Sequence, residues 1–314
     1  MDALTGLLDG PRARGAFLLR MVMEPPWSVR IEDRTPLCVM TVARGGAWIV
    51  PEQGEAVRLG PGDVAVARGP APYTVADRPT TAPLAWILPG EVCRTADGHD
   101  LADTMALGVR TWGNQADGAD VMLVGTYQLR GEVGRRLLDA LPPLLVLPAG
   151  DWESPLPALL SEEIVKDEPG QEAVLDRLLD LLLISVLRTW FARRGPSAPA
   201  WYRAFADPVV GRALRLLQNN PAHPWTVAGL AAEAGVSRAA LARRFGELVG
   251  EPPMAYLTGW RLTLAADLLR EPDATLGAVA RRVGYGSPFA LSAAFKRVRG
   301  ISPQEHRATA ARTE

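Results

Sequence analysis

The chain has 314 residues, enough for two domains with separate cores, and sets 34 basic against 35 acidic side chains. The near-zero balance conceals a split: residues 200–314 hold 15 basic and 9 acidic groups, and the rest hold 19 and 26. A basic C-terminal part suits a polyanion and an acidic N-terminal part is repelled by one, while two cysteines, Cys38 and Cys93, exclude a disulfide framework.

So few cysteines predict a reducing, cytoplasmic setting. Apolar residues 16–23 are interrupted by Arg20, so no signal peptide is expected. The strongest apolar run, 178–187, contains Asp180 and is too short to cross a bilayer, so a soluble protein is expected.

In chain order, residues 1–26 mix short apolar groups with Gly and Pro and predict a short helix or strand entering a sheet. Strands are expected over 37–43, 48–50, 57–59, 64–67, 73–75 and 84–88. Gly45-Gly46, Gly60-Pro61-Gly62-Asp63 and Gly69-Pro70 separate some of them. Short strands at intervals of roughly 8–12 residues with Gly/Pro turns predict a sandwich or barrel. Residues 94–120 are polar and rich in Gly and Asp, and predict a long exposed loop with one strand over 105–112. Further strands are expected over 121–129 and 144–147.

Helices follow. Residues 156–166 are amphipathic, and Pro169-Gly170 breaks them. Residues 171–194 predict the longest helix, with two apolar stripes: Leu175, Leu179, Leu182, Val186 and Trp190, then Leu178, Leu181, Ile184, Leu187 and Phe191. A helix apolar on two sides must be covered on two sides. Either both covers come from its own domain, or one comes from a second subunit in a homodimer. Residues 195–200 form a Pro-containing linker, and 208–219 predict the helix that opens the second domain.

The last part repeats itself. Thr226 and Gly235 stand 49 residues before Thr275 and Gly284. Past the turn the offset is 50, pairing Ser237 with Ser287, Leu241 with Leu291, Phe245 with Phe295 and Gly250 with Gly300. The added residue is Gly286, in a turn, where insertion is tolerated. Each copy predicts helix, Gly-containing turn, helix. Leu291, Phe295 and Val298 share one face and are expected to point at a core, as are Leu241, Phe245 and Leu248. A helix over 253–270 joins the copies. Eighteen residues span roughly 27 Å, of the order of the ~34 Å between successive major-groove faces of one side of B-DNA.

Residues 225–307 resemble the DNA-binding domain of AraC/XylS transcription regulators. The resemblance rests on Pro253, Tyr256, Arg261, Leu262, Ala265 and Leu269 in the joining helix. It rests also on Gly284-Tyr285, Ser287, Phe295, Lys296, Gly300, Ser302-Pro303 and Arg307. The family usually has an aromatic residue where His306 stands. Upstream, the turn at 59–63 resembles that of a cupin barrel, and Asp139-Ala140-Leu141-Pro142-Pro143 looks like the exit of an AraC-type sensor.

The resemblance implies a multidomain β plus α protein. A cupin-like β-barrel with following helices would fill residues 1–194, a linker 195–200, and an all-α domain with two helix-turn-helix motifs 201–314. It implies double-stranded DNA as partner, a small-molecule effector at the first domain and RNA polymerase as a further partner, while the two stripes of 171–194 point to a homodimer through that helix and the two cysteines to a redox signal as the other option. Expected DNA-contacting positions are Ser237, Arg238, Ala239, Ala242, Arg243 and Arg244 in the first copy. In the second they are Ser287, Phe289, Ala290, Ser292, Ala293 and Lys296. Pro288 also lies on that second face. Arg238 and Arg243 can grip guanine O6 and N7, Phe289 can meet a thymine methyl, and Arg244 and Lys296 suit phosphate.

Two other function classes compete: a metal-dependent cupin enzyme with a DNA-binding appendage, and an architectural DNA binder. A metal cupin needs a histidine cluster. The three histidines, His99, His223 and His306, are scattered, and Pro70-Ala71-Pro72-Tyr73 stands where such a cupin often has histidine. No metal, cofactor or catalytic residue is expected. Cys38 and Cys93 read either as small buried hydrophobes or as a thiol sensor, with Arg94 the one nearby positive charge. Trp27, Trp48 and Trp86 read either as core or as the lining of a ligand pocket.

Overall fold

A computed structural model of the chain describes residues 18–90, 92–128, 131–271 and 273–310. The reading of residues 1–17 therefore lies outside the described residues. Backbone contacts separate two units: residues 18–128 with 138–190, and residues 191–310 with 131–137.

The first unit is built from two sheets. Strands β1 (Leu18–Met23), β2 (Ser28–Ile31), β3 (Leu37–Arg44), β4 (Ala47–Pro51), β5 (Val57–Leu59), β6 (Val64–Arg68) and β7 (Tyr73–Ala76) come first. Then come β8 (Ala85–Leu88), β9 (Val92–Arg94), β10 (Ala106–Gly108), β11 (Thr111–Gly113), β12 (Asp120–Tyr127) and β13 (Leu144–Leu147). One sheet has the order β10-β11-β1-β12-β3-β6-β13, the other β5-β4-β7-β2-β8-β9. Alternate residues of both meet in one core, among them Met21, Met40 and Met122 from the first and Val29, Ile49 and Val75 from the second.

The expected closed barrel is not present: no strand ladder joins the two sheets among the described residues. The larger sheet ends at β10 and β13 and the smaller at β5 and β9, and none of these four edges pairs across to the other sheet. Residues 105–112 make two strands rather than one, because the backbone turns at Val109-Arg110, where Arg110 has φ 48°.

The outer face of the larger sheet is covered by helices α2 (Leu156–Glu163) and α3 (Gln171–Arg194), following α1 (Glu132–Ala140). A Cβ at Gly125 of β12 would sit 2.6 Å from Leu179 of α3, so this glycine permits the close approach. Leu175, Leu179, Leu182 and Val186 are buried on that side, each contributing about 1.5–3 kcal/mol of burial. The second stripe divides. Leu187 and Phe191 are also buried, whereas Leu181 is 51% exposed, as is Val174 at 45%.

The second unit continues from the end of α3 through α4 (Ala200–Ala206) and α5 (Pro208–Asn219) to α6 (Val227–Glu233) and α7 (Arg238–Val249). It then runs through α8 (Pro253–Leu268), α9 (Leu276–Arg282), α10 (Pro288–Arg299) and α11 (Pro303–Ala310). It has two cores. One gathers Leu214, Leu230, Leu241, Phe245 and Trp260, and the other Leu262, Leu269, Val279, Leu291 and Phe295. Helix α8 supplies both, and Leu264 packs against each.

Candidate nucleic-acid interface

The two helix pairs are built by the same local chemistry. Thr226 caps α6, its Oγ1 accepting from Gly229 N at 3.0 Å, and Thr275 caps α9, accepting from Ala278 N at 3.2 Å. Both helices end in a Schellman turn. In the first, Gly235 N donates to Ala232 O and Val236 N to Ala231 O; in the second, Gly284 N donates to Arg281 O and Tyr285 N to Ala280 O. Gly235 and Gly284 have φ of 69° and 84°, the left-handed region that glycine enters freely. Ser237 and Ser287 then cap α7 and α10, accepting from Ala240 N and Ala290 N at 3.2 Å each. Gly250 and Gly300 close them with φ of 90° and 76°.

Each second helix turns one side inward. Leu241 and Phe245, and likewise Leu291 and Phe295, are fully buried. On α7 the outward positions Arg238, Ala239, Ala242, Arg243 and Arg244 are all exposed, and Ser237 with them. On α10, Phe289, Ala290, Ala293 and Lys296 are exposed, and Ser287, Pro288 and Ser292 half-buried. Phe289 is the extreme, an aromatic ring 86% exposed. Val298 departs from expectation: it is 55% exposed rather than core-facing, because the last turn of α10 runs past the second core.

Sequence spacing did not reveal how the arginines are partnered. Arg243 meets Glu247 at 3.3 Å, an exposed pair one turn along the same helix and worth about 0.3–0.5 kcal/mol. Arg244 meets Asp207 at 2.6 Å, and Asp207 also accepts from Val209 N and Val210 N to cap α5. Burial pushes the Asp207 carboxyl up. The hydrogen bonds from Val210 N, Arg244 and Val209 N, with the Arg244 charge, outweigh burial and hold it below the ordinary value. The Arg238 side chain makes no ion pair or hydrogen bond among the described residues.

Other motif residues are braces. Arg261 of α8 donates to Pro221 O at 2.7 Å and His223 O at 2.9 Å, tying the loop before α6 to the joining helix. Arg307 donates to Leu269 O at 3.0 Å and also to Ala274 O. His306 replaces the usual aromatic in kind. Its ring packs edge-on against Phe295 with centroids 5.5 Å apart, and Nε2 lies 3.1 Å from Ala266 O. Arg299 is drawn aside by an ion pair with Glu132.

In the first unit Cys38 and Cys93 are both buried free thiols. Burial pushes them up to about 12 and about 11, so neither is a thiolate at neutral pH. His99 lies exposed beside Asp97 at 3.1 Å, far in sequence from His223, which packs on Trp225. No group of three His, Cys, Asp or Glu side chains is placed to hold a metal ion among the described residues. Trp27 is fully buried, and Trp48 and Trp86 are half-buried. No helix among the described residues is long and apolar enough to cross a membrane.

A sheet domain followed by helix pairs with exposed, partly basic second helices defines a DNA-binding protein with an attached N-terminal domain. Comparison with known proteins agrees. Residues 2–192 match the Cupin family model, and residues 230–309 match the helix-turn-helix domain model. The chain is 35% identical over 317 residues to an AraC-like transcription regulator of Streptomyces antibioticus, with 98% of both chains covered. It is 27% identical over 314 residues to the HTH-type transcriptional regulator AlkR of Acinetobacter baylyi, covering 98% of this chain and 99% of that one. The chain belongs to the AraC-like transcription regulators: it is a DNA-binding transcription regulator with an N-terminal cupin domain.

Proposed function

We propose that the protein reads a specific DNA sequence with two helix-turn-helix units, α6–α7 and α9–α10, entering successive major-groove segments. The observation that carries this reading is their shared construction: the same Thr cap, Schellman glycine, Ser cap and closing glycine in both. Helix α8 sets their separation. Its 16 residues span roughly 24 Å at the helical rise, and its side chains belong to both cores.

The two readers divide the work. Arg238 and Arg243 contact guanine, and Ser237, Ala239 and Ala242 line the groove beside them. In the second unit Phe289 meets a thymine methyl, Ser287, Ala290, Ser292 and Ala293 shape the contact, and Lys296 meets phosphate. Arg244 reaches phosphate from its place beside Asp207.

The remaining features extend this reading. The protein acts in the cytoplasm as a regulator and not an enzyme, dividing at the linker 195–200. It dimerises through α3, with the exposed Val174 and Leu181 supporting that contact. Its N-terminal domain receives a signal, and it acts on RNA polymerase at the promoter. Burial of both free thiols favours a small-molecule signal over a redox one.

A titration with operator DNA in the presence of scrambled competitor tests the function. A sequence reader keeps its operator affinity under competition. An architectural binder loses it in proportion to competitor.

A further inference from the structure

A cleft of about 530 Å³ opens on the smaller sheet, with Trp48, Arg58, Asp77, Arg78, Asp120 and Gly46 among its walls. Strand register places it. Ala47 and Ile49 of β4 point into the core, so Trp48 between them points out. Arg58 of β5 stands directly opposite Trp48 in the ladder. Asp77 and Arg78 follow the end of β7, whose Ala76 pairs Trp48 on the other side.

The acceptors in this cleft are largely committed. Asp120 takes Trp27 Nε1 on Oδ2 and Gly46 N on Oδ1, each at 2.8 Å. Asp77 Oδ1 takes Thr81 Oγ1 at 2.6 Å and Trp27 N at 3.3 Å. The donors are open: the Arg58 and Arg78 side chains make no hydrogen bond or ion pair among the described residues. Each guanidinium presents five N–H donors in a planar fork that matches a carboxylate. The half-buried Trp48 indole adds a flat apolar wall.

The rim is closely packed as well. Gly45 has φ 75°, and a Cβ there would lie 2.1 Å from Asp120 Oδ1, so the β3–β4 turn and Asp120 hold each other in place. Asp120 in turn holds the indole of Trp27, which is fully buried. An occupant of the cleft therefore touches a network that reaches the core.

We propose that this cleft binds an organic carboxylate with a planar, unsaturated body, its carboxylate on Arg58 and Arg78 and its ring on Trp48. Its role as the regulator's signal input rests on the sensor reading above.

The test is calorimetric titration of the full chain with 2-naphthoate, with neutral 2-naphthalenemethanol and ring-free acetate as controls. Saturable binding of one naphthoate per chain is expected, with both controls at least about tenfold weaker. Arg58→Ala, Arg78→Ala and Trp48→Ala should each weaken naphthoate at least about tenfold, with Arg58→Lys intermediate and thermal melts confirming that each variant folds. Absence of saturable binding, or binding that survives all three alanine changes, overturns the site. Operator affinity measured alongside separates the two readings. Naphthoate binding that fails to alter operator affinity removes the sensor reading and keeps the cleft. An operator response that persists in the three variants keeps the sensor reading and removes the cleft.

Discussion

Arg244 on α7 holds Asp207, the residue that caps α5, at 2.6 Å. Helix α7 is thus tied to α5 through a carboxylate already engaged by two backbone donors. Because Asp207 is held below its ordinary value, its contribution to stability is present above about pH 4 and is lost as pH falls through the lowered value. Asp207→Ala should cost about 1 kcal/mol at pH 7. Thermal melts of the wild type and Asp207→Asn should differ at pH 7 and converge as pH falls below about 4. A gap that stays constant with pH would mean that the charge on Asp207 contributes nothing.

The two glycines in the turn between α9 and α10 make opposite predictions. Gly284 has φ 84°, and a Cβ there would lie 2.6 Å from Ala222 Cα, which is backbone and cannot yield cheaply. Gly286 has open space around it. Gly284→Ala should cost about 2 kcal/mol or more, and Gly286→Ala within about 0.5 kcal/mol, by chemical denaturation. Equal effects would contradict the close approach.

On DNA, Arg243→Ala should cost about 1–3 kcal/mol and relax preference at one or two base pairs. Lys296→Ala should weaken all sequences alike and reduce the salt slope by about one. Both are read by titration against single-base operator variants at several salt concentrations. Uniform weakening by Arg243→Ala would move that arginine to the phosphate contacts.

The dimer prediction depends on which side of α3 is free. Val174→Asp with Leu181→Asp should give a folded monomer by sedimentation, because both residues are about half exposed. Leu182→Asp or Val186→Asp should unfold the domain instead, since each is essentially fully buried beneath the larger sheet. A double variant that sediments as a dimer places the contact elsewhere.

The helical half was legible because its signals are local. Thr226, Ser237, Thr275 and Ser287 announce helix starts, Gly235, Gly250, Gly284 and Gly300 announce ends, and apolar spacing names the inward side. The same local chemistry marked α3 over residues 171–194 and β13 over 144–147. Long-range pairing was less legible. β2 was missed, and it pairs in parallel with β8, more than fifty residues away. Helix α1 was missed because Gly134 interrupts a short charged segment. Asp207 lies 37 residues before Arg244, so nothing at either position signalled the pair. Helical periodicity carried Val298 into a core that ends a turn earlier.

Selection of binding sites from random duplex DNA by the full chain shows whether two segments are read at once. Two blocks of enriched bases are expected, with centres about 10–10.5 base pairs apart, one helical turn. Repeating the selection with Arg243→Ala should relax one or two positions in one block and leave the other block unchanged. A single enriched block, or none, would contradict a regulator that reads two successive major-groove segments.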